Sequence, residues 1–387
     1  MKVIKIVGLL VLAGLIFSAC APTAEAPAAE APAAEEPVAE APAAEEPAVE
    51  EKVIVGLSFS DFAVERWKNE EILMRGLLED LGYEVISQEA NHDVKLQNDQ
   101  IENMVTQGAK VLIVVAEDGD AAVTAVNNVA AQGVKVIAYD RLIKSPEIAA
   151  YISFNNVAVG YNQADGVMKA LDIENWDVDA KGPAKIIKQG GSPTDNNAIL
   201  VRQGQDQILD PLEAAGKIEI VADQWVENWD EAKAVTLMEN MLASIGNEVD
   251  GVVASNDGTA LGALQALRAQ GLAGIVPISG QDATADGCNS IVKGEQTVTV
   301  FKDIRLLGPL AVELADKILK GEDLGLEMYT LAELTLDDSL EGSVPCYFLP
   351  VVQVTKDNVY DVVVMSEFQP YDDVYRDIPE DERPPKP

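Results

Sequence analysis

The sequence predicts an α/β protein of two doubly wound parallel-sheet lobes, and three observations carry that expectation. From residue 52 onward, apolar strand-like runs alternate with helical stretches whose apolar residues recur at spacings of three and four. The rhythm then restarts at about residue 184, so two βα series follow one another. Glycines mark the joins, with Gly82, Gly108 and Gly133 each ending a helix ahead of the next strand. The 387 residues, 48% of them hydrophobic, suffice for two domains with sizeable cores.

The first series reads as strands KVIVGLSF (52–59), YEVISQEA (83–90), KVLIVVA (110–116), VKVIAYD (134–140) and AAYISF (149–154). NEEILMRGLLEDLG (69–82) typifies the helices between them. The second reads as strands AKIIKQG (184–190), KIEIVADQW (217–225), GVVASND (251–257) and GIVPISGQD (274–282), with helices around 197–215, 230–245 and 258–270. A long helix (303–320) and an apolar run, CYFLPVVQV (346–354), follow. The polar, proline-rich segment 367–387 is expected to be poorly ordered.

The N-terminal stretch lies outside the folded part. Lys2 and Lys5 precede the apolar run IVGLLVLAGLIF (6–17), which ends at Ser18-Ala19-Cys20. That is the charged start, short apolar core and small-residue cleavage site of a secretory signal over residues 1–19. The placement of Cys20 resembles a bacterial lipobox, which would make it the lipidated N-terminus of the exported chain and the chain's one link to a membrane. Residues 21–50 contain only Ala, Pro, Glu, Thr and Val, with proline at every fifth position from Pro22 to Pro47. Such spacing excludes a continuous helix, and the like charges extend the chain. Residues 20–51 read as a tether.

A net charge of -37 argues against nucleic acid as a partner, because phosphates demand a basic surface. His92 is the chain's single histidine, so no metal site is expected, and no phosphate loop points to a cofactor. Cys288 and Cys346 form an even pair in an exported protein, which suggests a disulfide; a loop of that length would contribute about 4 kcal/mol in the chain-entropy model.

Ligands of doubly wound sheets bind beyond the carboxyl ends of the strands. There the first series places Arg66 and Trp67, Glu117 and Asp118, and Asp140 and Arg141; the second places Asp195, Asn196 and Asn197, Trp225 and Trp229, Asn256 and Asp257, Gln281 and Asp282, then Lys302. A sugar hydroxyl both donates and accepts, so carboxylates beside Arg, Lys and Asn satisfy it, while the C–H face of its ring packs flat on an indole. The alternative for Asp195 and Asp257 is a helix cap, and for Trp225 simple packing.

The motifs VERW, YDRLI, GGSPTDNNA, DQWVENW, SNDGTALGA, SGQDA and VFKD together resemble the sugar-binding proteins of bacterial ABC importers, the xylose-binding and multiple-sugar-binding proteins above all. The resemblance runs from about residue 52 to 355. It implies two lobes joined by three crossovers, of the type I periplasmic-binding-protein kind, with 52–156 and 302–344 in one lobe and 157–301 and 345–366 in the other. It implies sugar contacts from Arg66, Trp67, Asp140, Arg141, Asn197, Trp229, Asn256, Asp282 and Lys302, with weaker claims for Asp257 and Glu117. D-xylose is the leading ligand, ahead of glucose, arabinose or galactose. The partner is an ABC permease, or a chemoreceptor or kinase if the protein serves as a sensor of glucose, galactose or arabinose. A secreted glycoside hydrolase is the rival from another class, since Asp140 and Asp282 could be offered as its carboxylate pair. A sugar-responsive repressor would need a basic DNA-binding segment where the acidic tether stands.

Overall fold

The structure is a computed structural model and describes residues 52–387. The chain begins with β1 (Ile54–Phe59), α1 (Glu65–Asp80), β2 (Glu84–Glu89), α2 (Val94–Thr106), β3 (Ala109–Val114), α3 (Val123–Ala131), β4 (Lys135–Tyr139) and β5 (Ala150–Phe154). It continues through α4 (Asn156–Ala170), α5 (Val178–Lys181), β6 (Ala184–Gly190), α6 (Asn196–Ala214), β7 (Ile218–Trp225), α7 (Glu231–Ser244), β8 (Gly251–Ala254), α8 (Asp257–Ala269), α9 (Ala285–Lys293) and β9 (Val298–Phe301). The last part holds α10 (Ile304–Lys320), β10 (Glu327–Thr330), α11 (Leu331–Thr335), β11 (Ser343–Leu349), β12 (Val352–Thr355) and α12 (Tyr371–Val374).

The first lobe is a seven-stranded sheet in the order β10-β11-β5-β4-β3-β1-β2, parallel except for the β10–β11 pair. Strand alternation explains its two cores. Val111, Ile113 and Val115 face a cluster that α1 and α10 cover, while Leu112, Val114 and Ala116 face one that α2 and α3 cover. The second lobe contains the parallel strands β7-β6-β8 and the antiparallel pair β9–β12. Single bridges, Val252 to Ile278 and Ser279 to Val298, stitch the two groups together. GIVPISGQD is therefore a bridging segment rather than a full strand. Helices α4 and α6 approach so closely that a Cβ on Gly160 would lie 1.8 Å from the Val201 carbonyl oxygen, and one on Gly204 would lie 2.0 Å from that of Val157.

The chain passes between lobes three times: between β5 and α4, between β9 and α10, and between β11 and β12. The third passage corrects an expectation. The expected boundary puts all of 346–354 in the second lobe, yet β11 pairs with β5 in the first sheet and only β12 joins the second. Pro350 between them supplies the break, because it has no N–H and a fixed φ.

Two further expectations fail. The segment 367–387 is ordered: Val374 and Tyr375 are buried against Cys288, Phe301 and Val354. Tyr371 donates to the Pro384 carbonyl at 2.6 Å, and Arg376 pairs with Asp286 at 2.7 Å. Its aromatic residues have a core to enter, which outweighs the proline content. Cys288 and Cys346 are not joined, since Cys288 lies in the core beneath that segment and Cys346 in a core of the first lobe. Cys20 and the signal and tether readings fall outside the described residues.

Candidate functional site

The carboxyl ends of the strands of both lobes converge on one cleft. On the first lobe the turn after β1 is set by Asp61, whose Oδ1 accepts from the backbone N–H groups of Ala63 and Val64 at 2.8 and 2.9 Å. That turn starts α1 and presents Arg66 and Trp67. The Arg66 Nε and Nη2 are held by Glu70 at 2.8 and 2.7 Å, and the Tyr139 hydroxyl donates to the same carboxylate at 2.5 Å. The remaining nitrogen, Nη1, lies 3.0 Å from Asp140 and 3.8 Å from Asp282 of the other lobe. The guanidinium covers Trp67 at 4.3 Å.

After β4, Asp140 adopts φ 61°, a left-handed conformation that turns its side chain into the cleft. Its backbone oxygen accepts from Ser153 at 2.8 Å and Tyr151 at 3.2 Å, which fixes the turn. Arg141 donates from Nη1 to the Ala116 carbonyl at 3.1 Å, with Glu117 behind it at 3.6 Å, and its Nε lies 3.1 Å from Asp195.

From the second lobe, Asp195 caps α6 with one oxygen, accepting from Asn197 N at 2.9 Å. Its other oxygen accepts from the Trp229 indole N–H at 3.2 Å. Trp229 lies on a loop in which Asn228 and Trp229 have φ 60° and 55°, and its ring rests on Gly191, where a Cβ would meet it at 2.1 Å. Asn197 donates to Asp140 Oδ1 and backbone O, both at 3.0 Å, and accepts from Asn156 at 2.8 Å. Asn256 caps α8 through Oδ1, leaving its Nδ2 as the group it can offer the cleft. Lys302, at the second passage between lobes, pairs with Asp282 at 3.1 Å.

Arg66, Trp67, Asp140, Arg141, Asn197, Trp229, Asn256, Asp282 and Lys302 thus line one inner pocket, together with Val64, Asp195 and Gln281. Burial opposes ionisation of Asp140, yet Arg66, Lys302 and Arg141 outweigh it and hold the pKa below the usual carboxylate value. Burial prevails at Asp195 and raises its pKa despite Arg141. Among the described residues, Arg66 Nη1, Trp67 Nε1, Asp140 Oδ2, Arg141 Nε, Gln281 Oε1 and Asp282 Oδ1 are buried without a hydrogen-bond partner. The short Arg66–Asp140 and Arg141–Asp195 distances are therefore ionic contacts not aligned for hydrogen bonding. Polar atoms left in this condition suit a ligand with several hydroxyls.

Two sequence candidates stand back from the pocket. Glu117 is buried behind Arg141 and contacts His92 at 3.1 Å. Asp257 is fully buried at the start of α8, accepting from Thr284 N at 2.9 Å and Gln296 at 2.8 Å. Trp225 lies outside, under Arg202 at 4.2 Å. Asp195 is the pocket residue that sequence reasoning undervalues: DNNA reads as a helix cap, and the cap is real, but its second oxygen faces the cleft.

A periplasmic binding protein domain matches residues 55–323 of this chain. The chain belongs to the periplasmic binding protein family. A D-xylose-binding periplasmic protein of Haemophilus influenzae is 40% identical over 321 residues, 83% of this chain and 92% of that one. Its namesake in Escherichia coli is 41% identical over 317 residues, 82% and 91% of the two chains. An ABC transporter solute binding protein from Clostridium phytofermentans, solved with β-D-glucose bound, superimposes with a TM-score of 0.74 at 30% identity, covering 83% of this chain and 99% of that one. The fold is that of type I periplasmic binding proteins.

Proposed function

We propose that this binding protein captures a monosaccharide, D-xylose first, between its lobes and delivers it to an ABC permease. The convergence of nine predicted contacts from both lobes on one inner pocket carries this reading. Trp229 and Trp67 offer indole surface to the C–H faces of a ring, and the carboxylates, guanidinia and Lys302 meet its hydroxyls. Hydrogen bonds to charged partners contribute about 1.5–3 kcal/mol each, so a few of them suffice for tight capture. The inner pocket, of about 20 Å³, has room for a water or two. Sugar entry therefore requires the lobes to part.

The relatives named above support xylose over glucose by identity. For the carboxylate pair that the sequence offers an enzyme, the acid role is disfavoured at Asp140, because a glycosidase acid needs a raised pKa and Asp140 has a lowered one. Export and anchoring through Cys20 follow from the N-terminal sequence. The test is calorimetric titration with xylose, glucose, arabinose, galactose and ribose. Xylose should bind most tightly, and Trp229→Ala should lower its affinity by about a hundredfold or more. Silence across the panel would end the reading.

A further inference from the structure

Outside the inner pocket, the cleft widens into a vestibule of about 380 Å³. Val64, Arg66, Trp229, Asn256 and Asp282 line both spaces, so the two adjoin across the same side chains. The smaller space holds only the clamp; the larger falls within the range of about 300–1,000 Å³ typical of small-molecule sites. Its walls also carry unusual backbone. His92, Asn228, Trp229 and Asp282 line it with φ of 62°, 60°, 55° and 93°, each in the left-handed half of conformational space. Strain of this kind, about 1–3 kcal/mol per residue, gathers where a ligand is gripped.

We infer that the vestibule is a second glycosyl subsite, so that the protein also takes a disaccharide with one ring in the clamp and the next in the vestibule. The inference rests on the monosaccharide reading and extends its substrate class. The chemistry of the walls is that of a pyranosyl unit. Asp230, Glu231 and Thr284 accept hydroxyl protons from the second-lobe side, the Asn256 amide offers a donor, and His92, whose Nδ1 faces Glu117 at 3.1 Å, leaves Nε2 to accept. Leu261 from the second lobe and Ala63 from the first add apolar surface for the ring's C–H groups. Asp286, another lining residue, pairs at 2.7 Å with Arg376 of the ordered C-terminal segment.

The test is calorimetric titration of the wild-type protein with D-xylose and β-1,4-xylobiose, and with D-glucose and cellobiose as a second pair. At least one disaccharide should bind within about tenfold of its monosaccharide. Leu261→Trp, which narrows the vestibule without touching the clamp, should weaken that disaccharide by about tenfold or more while leaving the monosaccharide within about twofold. Ala232→Trp, at an exposed position on the same wall, should do the same and guards against a folding defect in the first variant. Binding of monosaccharides alone would overturn the subsite and leave the monosaccharide reading intact. Binding of neither would overturn both. Equal loss of both ligands in the two variants would show that the vestibule is no separate subsite.

Discussion

At the scale of single residues, the clamp depends on contacts that leave no slack. Gly191 has no side chain because the Trp229 ring occupies that space, and a Cβ there would lie 2.1 Å from the ring. Gly191→Ala must push the indole aside, and overpacking of this kind costs about 1–3 kcal/mol. We expect sugar affinity to fall by about tenfold or more in the single variant. In a Trp229→Ala background the same substitution should cost little, because the obstructed ring is gone. Affinities of the four proteins in a double-mutant cycle measure this coupling, and additivity would refute it. Asp195 shows what a sequence can hide at this scale. Its type and position announce a cap, and Oδ1 indeed caps α6. Nothing in DNNA says that Oδ2 also receives the Trp229 N–H and faces Arg141, because those partners arrive from distant chain segments.

At the scale of elements, most strands and helices are legible in the sequence because alternation and helical spacing follow directly from burial on two faces of a sheet. The failures have physical causes. Residues 274–282 are apolar like a strand, yet they make only single bridges to each neighbour. The run 346–354 reads as one strand, and Pro350 divides it between lobes. Helix α4 escapes the pattern, because it buries polar residues such as Asn156 and Gln163, whose partners lie elsewhere. The α8–α9 junction carries a prediction of its own. Asp257, in the first turn of α8, binds the Thr284 cap of α9 and Gln296, and burial raises its pKa to about 7. The unfolded value is about 3.9, so between those two values the native state keeps a proton that the unfolded chain has lost. Stability should therefore fall as pH rises from about 4 to about 7 and level off beyond, by an amount on the order of a few kcal/mol. Asp257→Asn should flatten that part of the profile, since Gln296 can turn its unpartnered Oε1 toward the new amide. Urea midpoints across this pH range decide it; an unchanged slope in the variant would remove Asp257 as the cause.

At the scale of the whole molecule, closure is a balance between ligand contacts and contacts that the lobes make with each other. Asn197 donates to Asp140, Asn196 donates to the Leu334 carbonyl at 2.7 Å, and Asp195 faces Arg141, all from the second lobe to the first. These contacts favour the closed form before any sugar enters, and a ligand shifts the population only by what it adds to them. The Asp195–Arg141 pair is the charged member of the set, with side chains only 3% and 6% exposed. Losing one partner of a buried pair destabilises the arrangement by as much as about 3–5 kcal/mol. Asp195→Asn keeps the size of the side chain and, through its one carbonyl oxygen, the cap on Asn197 N, but removes the charge facing Arg141 and one of the two acceptors. The ligand-free variant should populate open forms more, giving a larger radius of gyration in solution scattering than the ligand-free wild type. Saturating sugar should bring the two proteins to the same compact value, at a higher sugar concentration for the variant. A residue that served only as a sugar contact would lower affinity and leave the ligand-free scattering unchanged, so identical ligand-free curves would defeat the latch and leave Asp195 as a contact alone.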